Sequence, residues 1–424
     1  MEKTLNRWVI AFICTLLMVS LGTVYAWSFF QKPLCDTYFW SNSQVAWAFS
    51  LAICFLGLAA AAGGMLLPRT GPTRLALLGG VLFGSGYLLA ALALKMHSLP
   101  LLYIGYGVIG GTGLGLGYVT PVATVARWFP DRKGFATGMV VMGFGFGALL
   151  MSKVIAPLLL AQLAGDMVRV FAVMGVLFLL VTIPCAAFVR NPPAGWVPSG
   201  YAPPQASAVS GPDEWLRGAR ACILSREFAL LWVIFFCNIT AGIAIIGFQS
   251  PLFQDICSKA DPALGKEALA RYGATLIAVS SLFNGVGRFF WGGLSDRIGR
   301  RETFRLILGS QLLAFVLLMY TDSPWLFALL VCYILLCYGG SFGTMPAFVL
   351  DLFGSRVMPA VYGTILTAWA AAGIAGPQLV ALIKDRYPTW LYPGRASFYS
   401  FAMGCGFLLA GLVFSFLMKS RRSG

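Results

Sequence analysis

In the stretch "SLFNGVGRFFWGG", Ser281 to Gly293, one arginine, Arg288, stands among apolar and small residues, with Asn284 one helical turn before it and no acid nearby. Asp296 opens the next polar segment eight residues on, which puts Arg288 roughly 12 Å inside the end of a helix. A charge at that depth in a bilayer costs several kcal/mol unless it faces a polar cavity or a partner. The chain has fifteen acids, and each falls in a loop or at the end of an apolar run. The counter-ion expected for Arg288 is therefore an anionic substrate. A guanidinium grips a carboxylate with two parallel hydrogen bonds that lysine cannot reproduce. Two other readings of Arg288 stay open: bonds to backbone carbonyls, or snorkelling to the cytoplasmic face, for which this depth is long. Asn284 shares the helix face of Arg288 and is either a second polar contact for the substrate or interhelical glue.

The elements that must position these residues are membrane helices. Of 424 residues 59% are hydrophobic and 11% charged, with a mean hydropathy of +0.82, far from the composition of a soluble domain. Apolar runs of spanning length, about 20 residues, recur twelve times, from 8–30 to 396–418. Of the thirty Lys and Arg, nineteen fall on one side of this topology, in loops carrying Arg69, Arg74, Arg127, Arg297, Arg300 and Arg301 among others, against ten on the other side, with Arg288 left over. By the positive-inside rule this excess orients the chain rather than marking a nucleic-acid binder. The expectation is a multi-pass protein of the cell's inner (plasma) membrane with both termini cytoplasmic. Most of the ten cysteines fall within spans and none in a CxxC pair, so neither a disulfide framework nor a metal site is indicated. Cys35 and Cys257, both on the outer side, are the one pairing left open. His97, the single histidine, reads as solvated near an outer loop, and no cofactor is expected.

A long Pro/Gly/Ser-rich stretch after Arg190 splits the runs into two sets of six, giving expected units at 1–189 and 229–424 joined by a cytoplasmic linker at 190–228. Internal similarity supports the split. "WVIAFIC" at Trp8 recurs as "WVIFFC" at Trp232, Pro121 maps onto Pro346, and the loop "GMLLPRTGPTR" from Gly64 matches "GGLSDRIGRR" from Gly292. Small-residue spacings such as Gly107, Gly111 and Gly115, or Gly143 and Gly147, let helices approach closely. The spans hold no embedded His, Asp or Glu constellation, so an enzyme is not expected. There is also no P-loop for a primary pump.

The Gly-x-x-x-Asp-Arg-x-Gly-Arg-Arg loop, Gly292 to Arg301, resembles the signature of the major facilitator superfamily. That resemblance implies an all-α integral membrane protein with twelve transmembrane helices in two pseudo-symmetric six-helix bundles, and a cytoplasmic gate at Asp296, Arg297 and Arg300. The first-half copy of the loop has Pro68 where the second has Asp296. Within the superfamily, "NGVGRFFWGGLSDRIGR", "ARWFPDRKGFATG" and "CYGGSFGTMPAFVLDLFG" resemble segments of the oxalate/formate antiporters and monocarboxylate transporters. This likeness implies a substrate carboxylate on Arg288 and a cavity lined by Tyr25, Tyr118, Phe144, Tyr338 and Phe342.

Departures from those relatives bear on the substrate. The oxalate carriers have a second cation where this chain has Trp369, in "YGTILTAWAAAG", so one central cation is matched to one carboxylate. A short monocarboxylate of the lactate or pyruvate type is expected, carried by a monomer with the lipid bilayer as its other partner. Asn284 and Phe29 stand where the mammalian-type carriers have the acid and lysine of proton coupling. Proton symport is nonetheless the expected mode, with the proton as co-substrate, and carboxylate exchange is the alternative. Asp255 and Lys384, at the outer mouth, read as solvated loop-end charges.

Overall fold

The computed structural model describes residues 6–131, 133–193, 196–198, 212–354, 357–388, 391–392 and 394–418. Much of the expected linker, including 199–211, lies outside the described residues, as does the side chain of Pro68.

The helices are α1 (Arg7–Tyr38), α2 (Asn42–Leu67), α3 (Pro72–Lys95), α4 (Leu99–Trp128), α5 (Ala136–Gln162) and α6 (Met167–Phe188), then the short linker helix α7 (Pro212–Ile223). The second set is α8 (Arg226–Ala260), α9 (Lys266–Ile298), α10 (Arg300–Tyr320), α11 (Pro324–Phe353), α12 (Ala360–Arg386) and α13 (Arg395–Leu417). Among the described residues, eleven of these helices are long and apolar enough to cross a membrane. The remaining long one is α9, which at 33 residues has ample length but carries Asn284 and Arg288 in its apolar stretch. The structure thus has two six-helix bundles. Several helices outrun their apolar cores: α8 begins at Arg226, capped by the Ser225 hydroxyl, and runs 35 residues.

Burial separates central from peripheral helices. In α8 72% of the most apolar window is buried, against 33% in α13, because α13 turns most of its surface to lipid. Small residues bring the central helices together. A Cβ on Gly147 would collide with the backbone of α1, one on Gly115 with α2, and one on Gly287 or Gly343 with the backbone of the partner helix in the α9–α11 pair. In lipid, where apolar burial drives little association, such backbone approach is a main source of helix attraction. The same device joins the bundles, where Gly145 of α5 sits with its Cβ position 3.1 Å from the backbone of Gly285 in α9.

Two helices bend beside the centre of the molecule. In α1 the residues Thr23–Ala26 form a 3₁₀ turn, with the Thr23 hydroxyl bonded back to the Ser20 carbonyl at 2.7 Å. In α12 the helix is interrupted at Leu366, whose carbonyl accepts from the amides of both Trp369 (3.0 Å) and Ala370 (3.2 Å). Short 3₁₀ pieces inside a helix redirect the side chains near them, here Tyr25 and Trp369.

Candidate functional site

Arg69, Arg74, Arg127, Arg297 and Arg300 all lie at the end of the bundles where α1 begins, the basic end. Arg288, Tyr118, Phe144, Phe342 and Trp369 stand eight to eleven residues from the basic ends of their own helices, roughly 12–17 Å in. Tyr338 and Tyr25 are fifteen and eighteen residues in, roughly 22–27 Å. The five helices that carry the aromatics, and α9, bring all of them to one place between the bundles.

The result is an aromatic cage. Tyr25 packs edge-on to Phe144 at 5.0 Å and to Trp369 at 6.4 Å, and Tyr118 to Phe144 at 5.3 Å and to Trp369 at 5.5 Å. Phe342 contacts Trp369 at 4.7 Å and Tyr338 at 5.2 Å. Each of the six rings is at most 2% exposed. The Tyr25 and Tyr338 hydroxyls share a 2.8 Å hydrogen bond that crosses from one bundle to the other, on the side of the cage away from the basic end.

Arg288 is the cage's one cation. It is 4% exposed, its guanidinium carbon lies 5.4 Å over the Phe342 ring, and among the described residues it has no ion-pair partner. Neither Nε nor Nη1 has a hydrogen-bond acceptor, and the Tyr118 hydroxyl and Trp369 Nε1 are also buried without one. Buried donors are ordinarily satisfied, and an isolated buried charge is more costly still. The group as a whole offers positive charge and N–H or O–H donors at one point, the complement of a small oxyanion. Asn284 is brought near but not in: it is 1% exposed and wedged against Gly339 in the α9–α11 seam, its carbonyl unpartnered.

One residue of the cage region escaped the sequence reading. Tyr362, seven residues before Trp369 and on the other side of the interruption at Leu366, lies within electrostatic reach of both Arg288 and Tyr118. Its signal was its place in "YGTILTAWAAAG", two turns from a residue already singled out.

At the basic end, Arg300 joins Asp296 (Nη2, 2.6 Å) to Asp351 (Nε, 3.1 Å) and also donates to the Ser295 hydroxyl, tying α9 to α11. Arg297 is exposed and takes no part in this cluster. In the first bundle, where Pro68 replaces the acid, Arg7 of α1 instead pairs with Asp131 after α4 at 2.8 Å and lies over Phe129. Both ion clusters hold within one bundle.

Polar contacts between bundles are found toward the opposite end. Asp385 of α12 accepts hydrogen bonds from the Asn42 and Ser43 amides, both at 2.9 Å, and from Asn42 Nδ2 at 3.2 Å. It thereby caps the N-terminus of α2 from the other bundle. Gln378 donates to Ser50 farther down the same helix pair. The expectation for Asp255 and Lys384 is corrected: they form a 2.6 Å ion pair in which Lys384 is only 10% exposed. The reason is the length of α8, which carries Asp255 five residues inside its end and against the last turn of α12. The open Cys35–Cys257 pairing is also excluded, since both are free thiols. His97 is exposed, as expected.

A two-bundle helical membrane protein with a buried cation at the bundle interface has the architecture of a secondary transporter. The model of the Major Facilitator Superfamily matches residues 5–377, and the chain belongs to that superfamily. Similar proteins include the oxalate:formate antiporter of Oxalobacter formigenes, 28% identical over 94% of this chain and 90% of its own length. Apicoplast pyruvate carrier 1 of Toxoplasma gondii is 30% identical over 82% of this chain and 71% of its own. Monocarboxylate transporter 12 of Rattus norvegicus is 25% identical over 88% and 77%. Among solved structures, a bacterial homolog of the human lysosomal transporter Spinster, in an inward-facing, unoccupied conformation, superposes with a TM-score of 0.66 at 17% identity. It covers 98% of this chain and 96% of its own, a likeness of fold.

Proposed function

We propose that this chain is a secondary carrier of short monocarboxylates of the lactate and pyruvate type, working by alternating access as a proton-coupled symporter. It acts as a monomer in the plasma membrane, with the basic end and both termini in the cytoplasm. The observation that carries this reading is Arg288: buried, without an acid among the described residues, and enclosed by aromatic rings from both bundles. A carboxylate would complete its valence with two charge-assisted hydrogen bonds. Tyr118 and Trp369 would supply further donors, Tyr25 and Tyr338 the closure away from the basic end, Phe144 and Phe342 the apolar wall, and Asn284 the seating of α9 that aims Arg288. The proteins named for pyruvate, oxalate, formate and monocarboxylates among the relatives agree in chemical class.

Arg288 with one carboxylate is a neutral pair, so a proton can accompany the substrate on a separate group. Exchange of one carboxylate for another is the second reading, favoured by the likeness to the oxalate:formate antiporter along nearly the whole chain. Uptake of labelled L-lactate into proteoliposomes under an inward proton gradient separates the two. Accumulation that a protonophore collapses supports symport. Uptake that ignores the gradient but needs lactate, formate or oxalate inside supports exchange, and no uptake of any of these acids sinks the carboxylate reading.

The rocking of the bundles would be latched at the outer end by Asp385, which bridges them, while at the cytoplasmic end Asp296 and Arg300 would brace α9 against α11 within the second bundle, with Arg297 adding only surface charge. A carboxylate on a helix N-terminus with two amide bonds contributes about 1–2 kcal/mol. Asp385→Ala should therefore raise the population open to the outside by roughly tenfold. The native thiol Cys35, half-buried near Asp385, reports it. Its labelling by a membrane-impermeant maleimide should accelerate by that factor, and an unchanged rate would remove Asp385 from the latch.

A further inference from the structure

Lys153 takes no part in the cage. It lies in α5 nine residues before the helix ends at Gln162, roughly 13 Å along the axis, on an exposed stretch shared with Val154 and Leu158, 50% and 53% exposed. Its turn, Met151–Ile155, is a π-helical one, a distortion frequent at functional sites. The side chain is turned across to α9 in the other bundle, where its ammonium donates to the Thr275 hydroxyl at 2.5 Å. Thr275 in turn donates to the Arg271 carbonyl at 2.8 Å. An ammonium has three N–H donors, and among the described residues Lys153 has no ion-pair partner. A cation inside an apolar stretch calls for a counter-charge.

The α9 side of the seam carries the other features of a lipid site. Arg271 and Tyr272 lie four and three residues before Thr275 and so share its helix face. Both are exposed, Arg271 with 72% of its side chain and Tyr272 at 47%. Glu267 pairs with Arg271 only loosely, at 3.7 Å, and is itself 90% exposed, which leaves the guanidinium open to a second anion. Toward the middle of the helix the same face continues as Val279, Leu282 and Val286, each 40–45% exposed. Cations and a phenol come first and apolar side chains after, the order of a phospholipid from headgroup to acyl chain. The seam also narrows inward. A Cβ on Gly145 would come within 3.1 Å of the Gly285 backbone, whereas at Thr275 a whole lysine side chain makes the join.

We propose that an anionic phospholipid, from the leaflet at the end opposite the basic one, docks in the α5–α9 seam. Its phosphate sits on Lys153 and Arg271, and one acyl chain runs along Val279, Leu282 and Val286. The site is separate from the cage and stands whether or not Arg288 binds a carboxylate. Lys153 belongs to one bundle and Arg271 to the other, so the bound phosphate joins the bundles at that end, as Asp385 does at the α2–α12 seam.

The test titrates the purified full-length protein in detergent with phosphatidylglycerol or with phosphatidylcholine of the same chains, and counts retained lipid by native mass spectrometry. Phosphatidylglycerol should bind roughly tenfold or more tighter, as two basic side chains at a lipid surface warrant. Lys153→Gln, which keeps the reach and a donor for Thr275, should erase most of that preference, Lys153→Arg should keep it, and Arg271→Gln should reduce it several-fold. Equal retention of the two lipids by the wild type, or an unchanged preference in Lys153→Gln, overturns the site. Should Lys153→Gln fail to fold, Arg271→Gln at its exposed position decides, and an unchanged preference there overturns it too. Inorganic phosphate is the control for the headgroup alone: displacement of phosphatidylglycerol by millimolar phosphate would make this an anion site and overturn the lipid assignment. For the joining of the bundles, Cys35 labelling by maleimide should be several-fold slower in phosphatidylglycerol nanodiscs than in phosphatidylcholine ones, and the difference should vanish in Lys153→Gln. Equal rates in the wild type would overturn that role of the lipid.

Discussion

Arg288→Lys should lower carboxylate uptake by an order of magnitude or more while the protein still folds and inserts. The charge is kept, so a purely electrostatic role would survive the change. What is lost is the planar fork, in which two N–H groups meet two carboxylate oxygens at once. The lysine ammonium would also be a compact, strongly hydrated ion placed where the guanidinium now rests 5.4 Å over Phe342, and its desolvation is correspondingly harder. The loss should appear both in the affinity for substrate and in the rate of uptake, measured in proteoliposomes at matched protein density. Near-normal uptake by Arg288→Lys would remove the carboxylate from this site.

Trp369→Lys should turn selectivity from one carboxylate toward two. Trp369 touches Tyr25, Tyr118, Phe144 and Phe342, so a lysine there places a second cation inside the same cage and frees part of the indole's volume. Two buried cations without a dianion repel and remain desolvated, a cost of several kcal/mol. The variant should therefore be less stable empty than the wild type and be rescued by oxalate, with its thermal midpoint rising several degrees in that ligand. Binding of oxalate should improve by roughly tenfold or more, since each close, desolvated charge pair contributes a few kcal/mol. Unchanged oxalate binding would show that the number of cations does not set selectivity.

How far such reasoning reaches from sequence can be seen residue by residue. Arg288 was legible because a cation in an apolar run is rare whatever the surroundings, and its lack of an acid could be checked by inspecting a short list of carboxylates. The ring positions Tyr118, Phe144, Tyr338 and Phe342 came from motif resemblance, since periodicity alone cannot tell a cavity wall from ordinary packing. The spacing of Asn284 and Arg288 puts both on one face of α9, but which neighbour that face meets depends on how closely α11 approaches. That closeness is set by Gly339 and Gly343, whose role appears only once the two helices are side by side.

The acids show the other limit. Asp255 and Lys384 looked like loop-end charges because hydropathy marks where the apolar run stops, whereas the helix itself continues to Ala260. Helices in this chain extend past their hydrophobic stretch because polar residues at the ends still complete backbone hydrogen bonds and pair with one another. Asp131 and Arg7, 124 positions apart, and Asp385 with Asn42, 343 apart, could not be matched by any local pattern.

The sequence by itself determined the membrane class, the two sets of helices and the presence of one deep cation, because each follows from composition and period along the chain. Tertiary structure alone decided that six rings from five helices close over that cation, that the Tyr25–Tyr338 bond joins the bundles on one side of it, and that Trp369 and Tyr118 pack together beside it. Those facts are distances between residues remote in the chain, and they are fixed by backbone approach at glycine contacts whose partners no one-dimensional reading contains.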